Sequence, residues 1–447
     1  MKKYYCIEIE FKVPFVSNAK FHSHLYYDEN QIEIRVLLKD NLDFSRNFMT
    51  WYGDSADSDR ISEFLLPEVF ENQKEVIFIS FQNSQIISIT SNQIDENEND
   101  YFTIFFDRIT LHKNPISIEK EYGKIYLNKD GFDLVKGFYS IFTGFGNDGK
   151  VDIGRMRGMS SFYRIGSVKF RPEFEFTVSD NKDHVSPRIE KVPILKFYFP
   201  QETKDEYIEN AFLIACKICS FYLGNNIEFN SAVICKKSHR VIIRKVLQTK
   251  FTLNISSLNW LLKVHRIDGF LKLNWQKRYI QNQDRVNEAI TNYTHSRLLD
   301  TNSKFMLLYN IIDTCMGGNK QIEDKFTLTV TKKKKASIYG EAFSIIKQTV
   351  AENEFSDFEK KWNTVQQKLI YKPMKSPLNQ FLIANKIKID SLEVSIDKMK
   401  ELRNSIFHGS VDPATTYHIK KSNEVLYRIT PILILNLLGI TQWEHRT

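Results

Sequence analysis

Hydrophobic and polar residues alternate in short runs through the first 200 positions, the period-2 pattern of strands with one buried face. Residues 4–13, 31–38, 74–81, 101–112, 168–178 and 192–199 carry this pattern or are dense in β-branched and aromatic types, and turn-rich stretches such as 91–100 and 147–150 separate them. Several strands at this spacing predict a β-rich N-terminal domain over residues 1–200, a sandwich or barrel-like sensor or binding module. The period changes after Pro200. Residues 205–223 repeat at helical spacing and stop at Gly224, the residue type that caps helix C-termini. A strand pair is expected at 231–237 and 240–246, then a helix through 278–299, so 201–300 is a mixed α/β connector that either folds alone or belongs to the β domain. From 301 onward helical spacing dominates, at 303–316, 336–351 and 355–370, with a basic loop at 332–335 and a break at Pro373 and Pro377. A further helix is expected from Asp390, where Glu393 completes a capping-box pattern, and Asp412-Pro413 opens the next. The fold class is therefore α+β, with an all-α C-terminal domain over 301–447.

Composition narrows the function classes. The chain has 447 residues, 42% of them hydrophobic, with 17 glycines and 34 phenylalanines, which favours packed cores and excludes disordered or collagen-like chains. Residues 301–447 hold 22 Lys+Arg against 15 Asp+Glu, a net of +7, whereas the first 300 hold 40 against 39. A polyanionic partner is thus expected on the rear third. The five cysteines, Cys6, Cys216, Cys219, Cys235 and Cys315, are too dispersed for a disulfide framework and point to a cytoplasmic chain. No secretory apolar region follows the N-terminal lysines. The longest apolar run, Ile429 to Ile440, is interrupted by Thr430, Pro431 and Asn436 and falls short of the ~20 residues a membrane span needs, so it is a buried helix.

Several local motifs lack the surroundings their chemistry requires. Gly144, Gly146 and Gly149 match a dinucleotide fingerprint, but VDIGRMRGMS follows in place of a helix whose N-terminus would hold the pyrophosphate. Cys216 and Cys219 have zinc-ligand spacing without a second pair, and Cys235 with His239 sits in a strand pair, so no metal site is expected. His22 and His24 share one strand face and read as ordinary exposed histidines.

One constellation remains. Lys400 to Ser410 reads KELRNSIFHGS and places Arg403, Asn404 and His408 at a helix end, immediately before Gly409. Arg403 falls on the apolar stripe with Leu392, Ile396, Met399 and Ile406, a costly place for a side chain that never loses its charge. Five steps of about 100° separate Arg403 from His408 by about 140°, so the two converge only if the helix unwinds at Gly409 or if two copies pool their side chains across a twofold axis. The plainer reading is that Arg403 bonds a neighbouring helix C-terminus and His408 merely caps its own.

The string Arg403-Asn404-Ser405-Ile406-Phe407-His408-Gly409 resembles the signature of HEPN domains, helical ribonuclease domains marked by an arginine, an adjacent polar residue and a histidine. The layout also resembles the ApeA-like group of antiphage HEPN proteins, in which a strand-rich N-terminal module precedes the HEPN domain. That group carries a glutamate on an early helix, and Asp313 in LLYNIIDTCM stands at the comparable place with a shorter reach. The resemblance covers roughly 300–440, and over the first 200 residues it rests on layout alone. It implies a metal-independent endoribonuclease without cofactors, catalysed by Arg403, Asn404 and His408 with Asp313 in support. It further implies a homodimer, an RNA substrate with tRNA as a candidate, and a phage-derived trigger at the N-terminal domain.

Overall fold

The computed structural model describes residues 5–13, 16–27, 31–37, 76–81, 84–94, 100–136, 144–145, 151–152, 161–180, 187–247, 258, 262–263, 266–317, 332–368 and 375–445. The backbone divides into two compact units, Met1–Gln276 with Gln442–Thr447, and Lys277–Thr441. Mixed α+β character is observed, with antiparallel sheets in the first unit and helices in the second.

Two larger sheets organise the first unit among the described residues. One has the order β1-β2-β3-β6-β5, formed by β1 (Tyr5–Val13), β2 (Val16–Tyr27), β3 (Ile32–Leu37), β5 (Ile86–Ile94) and β6 (Asp100–Phe106). The other runs β11-β12-β13-β8-β14-β15-β7-β4. It comprises β4 (Val76–Ser80), β7 (Arg108–Lys113), β8 (Tyr122–Leu127), β11 (Tyr163–Ile165), β12 (Val168–Asp180), β13 (Pro187–Tyr198), β14 (Phe229–Cys235) and β15 (Arg240–Lys245). Gly144–Phe145 (β9) pairs with Val151–Asp152 (β10), and Leu262–Lys263 (β16) with Glu444–His445 (β17). One apolar cluster draws Leu25, Ile34, Val36, Phe102, Ile104 and Phe106 from the first sheet and Ile109, Leu111, Val233 and Ile242 from the second.

The run 101–112, expected as one strand, is divided by Asp107 into β6 and β7, which belong to different sheets. Local hydrogen bonding explains the break. The Asp107 carboxylate accepts from the Gln85 amide at 2.6 Å, and its own N–H donates to the Gln85 carbonyl at 3.1 Å. Strands β14 and β15, from the stretch expected as a connector, lie inside the eight-stranded sheet between β8 and β7.

Helix α1 (Gly131–Lys136) follows β8, α2 (Asp205–Leu223) follows β13, and α3 (Ile267–Leu271) closes the unit. The α2 range equals the predicted one, and Gly224 stands beyond it at φ 72°, where its N–H donates to the Ser220 carbonyl at 2.7 Å. The buried ring of Phe212 on α2 packs against Phe197 of β13 and Phe229 of β14. A Cβ added to Gly123 of β8 would lie 2.8 Å from the tip of the Phe212 ring. Gly123→Ala is therefore expected to destabilise this unit by about 1–3 kcal/mol through overpacking. Urea unfolding measures the loss, and an unchanged midpoint would show that the ring has room to move.

The second unit contains the rest of α4 (Gln276–Gln281), then α5 (Gln283–His295), α6 (Thr301–Met316), α7 (Lys332–Lys347), α8 (Phe355–Lys368), α9 (Lys375–Ala384), α10 (Ile396–Phe407) and α11 (Pro413–Leu437). Helix α6 packs along α5 and α11, burying Phe305, Leu308, Ile311 and Ile312 with Val286, Ile290, Ile419, Leu426, Ile429 and Leu433. Residues 332–335 form the first turn of α7 rather than a loop, in keeping with the good helix propensity of lysine. Helix α10 begins at Ile396, not Asp390, because Ser395 is the N-cap whose hydroxyl accepts from the Lys398 amide at 3.2 Å. The apolar run from Ile429 lies mostly within α11, where it is buried despite Pro431. Among the described residues no helix is long and apolar enough to cross a membrane.

Candidate active site

Helix α10 fixes the motif by burying Ile396, Met399 and Leu402 while the next residues turn outward. The helix stays regular to its last turn, since the His408 amide still donates to the Asn404 carbonyl at 3.0 Å. The chain then leaves through a Schellman motif. Gly409 N–H reaches Ile406 O at 3.1 Å, and Ser410 N–H reaches Ser405 O at 2.8 Å. Gly409 has a φ of 69° and nothing within 4 Å of an added Cβ, so backbone conformation rather than space selects glycine there.

The structure brings Arg403 and Asp313 together. An Arg403 terminal nitrogen lies 3.4 Å from Asp313 Oδ2, and the guanidinium carbon sits 5.1 Å from the centre of the Tyr309 ring and 5.8 Å from that of Phe407. Burial raises the Asp313 carboxyl above the usual range, and Arg403 only partly opposes this. A close two-pronged pair would have held it low, so the direction agrees with one long contact. Tyr309, one turn before Asp313 on α6, is also raised, first by burial and then by the Asp313 charge. Arg403 Nε is buried without a hydrogen-bond partner among the described residues.

Asn404 and His408 are exposed, and among the described residues no hydrogen bond or ion pair links either side chain to Arg403. His408 occupies the C-cap position of α10. The helix-end role expected of an arginine falls instead to Arg285, whose Nε donates to Thr314 O at 3.0 Å and whose terminal nitrogen donates to Cys315 O at 2.5 Å. That arrangement leaves Arg403 to the acid on the same helix. Two neighbours of the site were not singled out from sequence, Tyr309 beneath the guanidinium and Phe407, which is 67% exposed beside it. Both follow from i, i+4 spacing, Tyr309 from Asp313 and Phe407 from Arg403.

The other candidates have structural settings. Cys216 and Cys219 are buried in α2, and burial pushes the Cys216 thiol up to about 12. His22 and His24 belong to β2, but their side chains lie outside the described residues, as do Gly146 and Gly149. His239 lies in a polar chain, with Ser238 Oγ 2.8 Å from its Nδ1 and Asp205 Oδ2 2.6 Å from its Nε2. The chain has the order of a nucleophile relay, but Lys236 Nζ, 2.6 Å from Asp205 Oδ1, already neutralises the acid. The group clips the β14–β15 turn to the first turn of α2. Burial raises the Asp205 carboxyl, but hydrogen bonds from Lys236 and His239 outweigh it and leave the carboxyl below its usual range. The clip therefore contributes stability that is fully present above about pH 4 and is lost as pH falls through the lower folded value. Asp205→Asn is expected to cost about 1–2 kcal/mol at pH 7 and to flatten the acid limb of unfolding curves measured from pH 2 to 7. An unaltered acid limb would count against the clip.

No family model, curated protein or solved structure matches this chain.

Proposed function

We propose that the chain is an antiphage effector of the HEPN type, whose helical unit cleaves RNA at a site built from Arg403, Asn404 and His408 with Asp313 in support. The observation that carries this reading is the half-buried Arg403 guanidinium, held by a long contact to Asp313 and, among the described residues, without a hydrogen-bond partner at its buried Nε, at the end of the helix that also presents Asn404 and His408 to solvent. A planar guanidinium fork suits a phosphate and the charge that grows on it. His408 removes the proton of a ribose 2′-hydroxyl, the 2′ oxygen attacks the adjacent phosphorus, and the 5′ oxygen leaves with a proton from water. The products are a 2′,3′-cyclic phosphate and a 5′-hydroxyl. Asn404 orients the phosphate or the imidazole.

Arg403 and His408 of one cleavage site come from two copies of the chain. On a helix that stays regular past Arg403, His408 departs about 140° away, so a twofold pairing of α10 ends is the way to combine the two groups. The excess positive charge of residues 301–447 supports RNA docking on the same unit, with tRNA as a candidate substrate. The two-sheet unit, sandwich-like in this reading, senses a phage-derived trigger and holds the cytoplasmic nuclease inactive until infection. A second reading has one observation in its favour: exposed Phe407 also suits a catalytically silent dimerisation module. Sequencing of RNA ends from cells expressing the chain, before and after phage infection, separates them. New 5′-hydroxyl ends, and cleavage by purified protein that persists in excess chelator, are expected. Cleavage that vanishes with chelator would overturn the mechanism, and unchanged RNA ends with intact dimers would leave the silent module.

A further inference from the structure

The first unit contains a cavity of about 260 Å³ beneath the start of β7 and the end of β15. Its apolar wall includes Leu213, Ile227, Phe229 and Val246, and its polar lining includes Lys217, Lys245, Asp107 and Glu228. The sheet register makes one corner electrostatically unusual. Arg108 and Lys245 are direct cross-strand partners, so two cations share one face of the sheet. Glu209 of α2 faces them, but both its oxygens are already taken by Arg108, at 2.5 and 2.7 Å. Lys245 Nζ is left 3.9 Å from Glu209 and 4.4 Å from the centre of the Phe229 ring, and its ammonium donates no hydrogen bond among the described residues. Burial pushes Lys245 down first and Arg108 adds to it, opposed by Glu209, Cys216 and Asp107. Burial pushes Lys217 down as well, with Glu228 opposing.

The geometry points to a binding site for a small organic monocarboxylate, with its carboxylate on Lys245 and its apolar body against Phe229, Leu213 and Ile227. A cavity with an apolar wall and one desolvated donor cation is what such a ligand needs. The volume lies just below the ~300–1,000 Å³ usual for small-molecule sites, which limits the ligand to a compact one. Asp107 and Glu228 in the lining repel a second negative charge, so a phosphate monoester, close to a dianion at neutral pH, is disfavoured. Lys245 is a ligand-binding residue in this assignment, independent of the proposed cleavage site.

Calorimetric titration of the full chain tests it with phenylacetate, the neutral isostere phenylacetamide and phenyl phosphate. Phenylacetate is expected to bind at least tenfold more tightly than either analogue, the scale of a hydrogen bond to a charged group. Lys245→Met should weaken phenylacetate at least tenfold while leaving any phenylacetamide binding unchanged. Leu213 is 43% exposed, so Leu213→Trp can fill the cavity without unfolding the chain, and it should abolish binding of all three probes. Absence of phenylacetate binding at millimolar concentration, equal affinity for acid and amide, or binding that survives Leu213→Trp would overturn the assignment. Preference for phenyl phosphate would overturn the monocarboxylate and assign the cavity to phosphate esters.

Discussion

Replacing His408 by alanine is expected to lower RNA cleavage by about 10²–10⁴-fold, the usual range for loss of a positioned acid or base. The fold should survive, because His408 is an exposed C-cap whose structural contact is made by its backbone amide. Circular dichroism and the melting temperature should therefore stay at wild-type values while activity disappears. Arg403→Ala should give a similar loss of cleavage with a small change in stability of either sign. It removes one long ion pair but also relieves a half-buried charge whose Nε has no hydrogen-bond partner among the described residues, and it leaves Asp313 to protonate more readily still. Arg403→Lys should not rescue, since an ammonium lacks the planar fork. Mixing the two alanine variants provides a sharper test. If Arg403 of one copy works with His408 of another, mixed dimers keep one intact combination and recover up to about half of the activity, whereas a site within one copy recovers nothing. Full activity in either single variant would remove these residues from the chemistry.

Legibility in the sequence followed the range of the interactions. Helix α2 was readable to the residue because apolar spacing, the acidic first turn and Gly224 all act within a few positions. The end of α10 was readable for the same reason, since Gly409 must take a positive φ. Its start was not. Asp390 and Glu393 imitate a capping box, while the hydroxyl that closes the first turn belongs to Ser395. The division of 101–112 at Asp107 depends on Gln85, 22 positions away, and no periodicity within the run contains that information. In the site, the sequence placed Arg403 correctly as a charge on a mostly apolar helix face, but its partner across α6 rested on resemblance alone. The competition between Arg403 and Arg285 for the helix C-terminus is settled by tertiary packing, and no spacing rule decides it.

In the first unit, Glu209→Ala is expected to cost about 3–5 kcal/mol, the range for removing one partner of a buried ion group. Arg108 and Lys245 face each other directly in the register of β7 and β15, and like charges so placed repel. Glu209 holds them in place, with its side chain 17% exposed and that of Arg108 10% exposed. Deleting the carboxylate leaves two desolvated cations side by side, with Arg108 Nε already lacking a hydrogen-bond partner among the described residues. Glu209→Gln, which keeps the shape and one acceptor, should fall between wild type and alanine. Arg108→Met should cost less than Glu209→Ala, because Lys245 can then close on the freed carboxylate and one cation is gone. Hydrogen exchange across β7, β15 and α2 gives the readout, since the loss of the carboxylate loosens the contact between helix and sheet. An alanine variant that protects these amides as well as wild type, or an arginine deletion costlier than the glutamate deletion, would mean that solvent already screens the paired cations. The same result would remove the charge argument for the carboxylate site at Lys245, so this ordering of variants tests the sheet's electrostatics and the proposed cavity together.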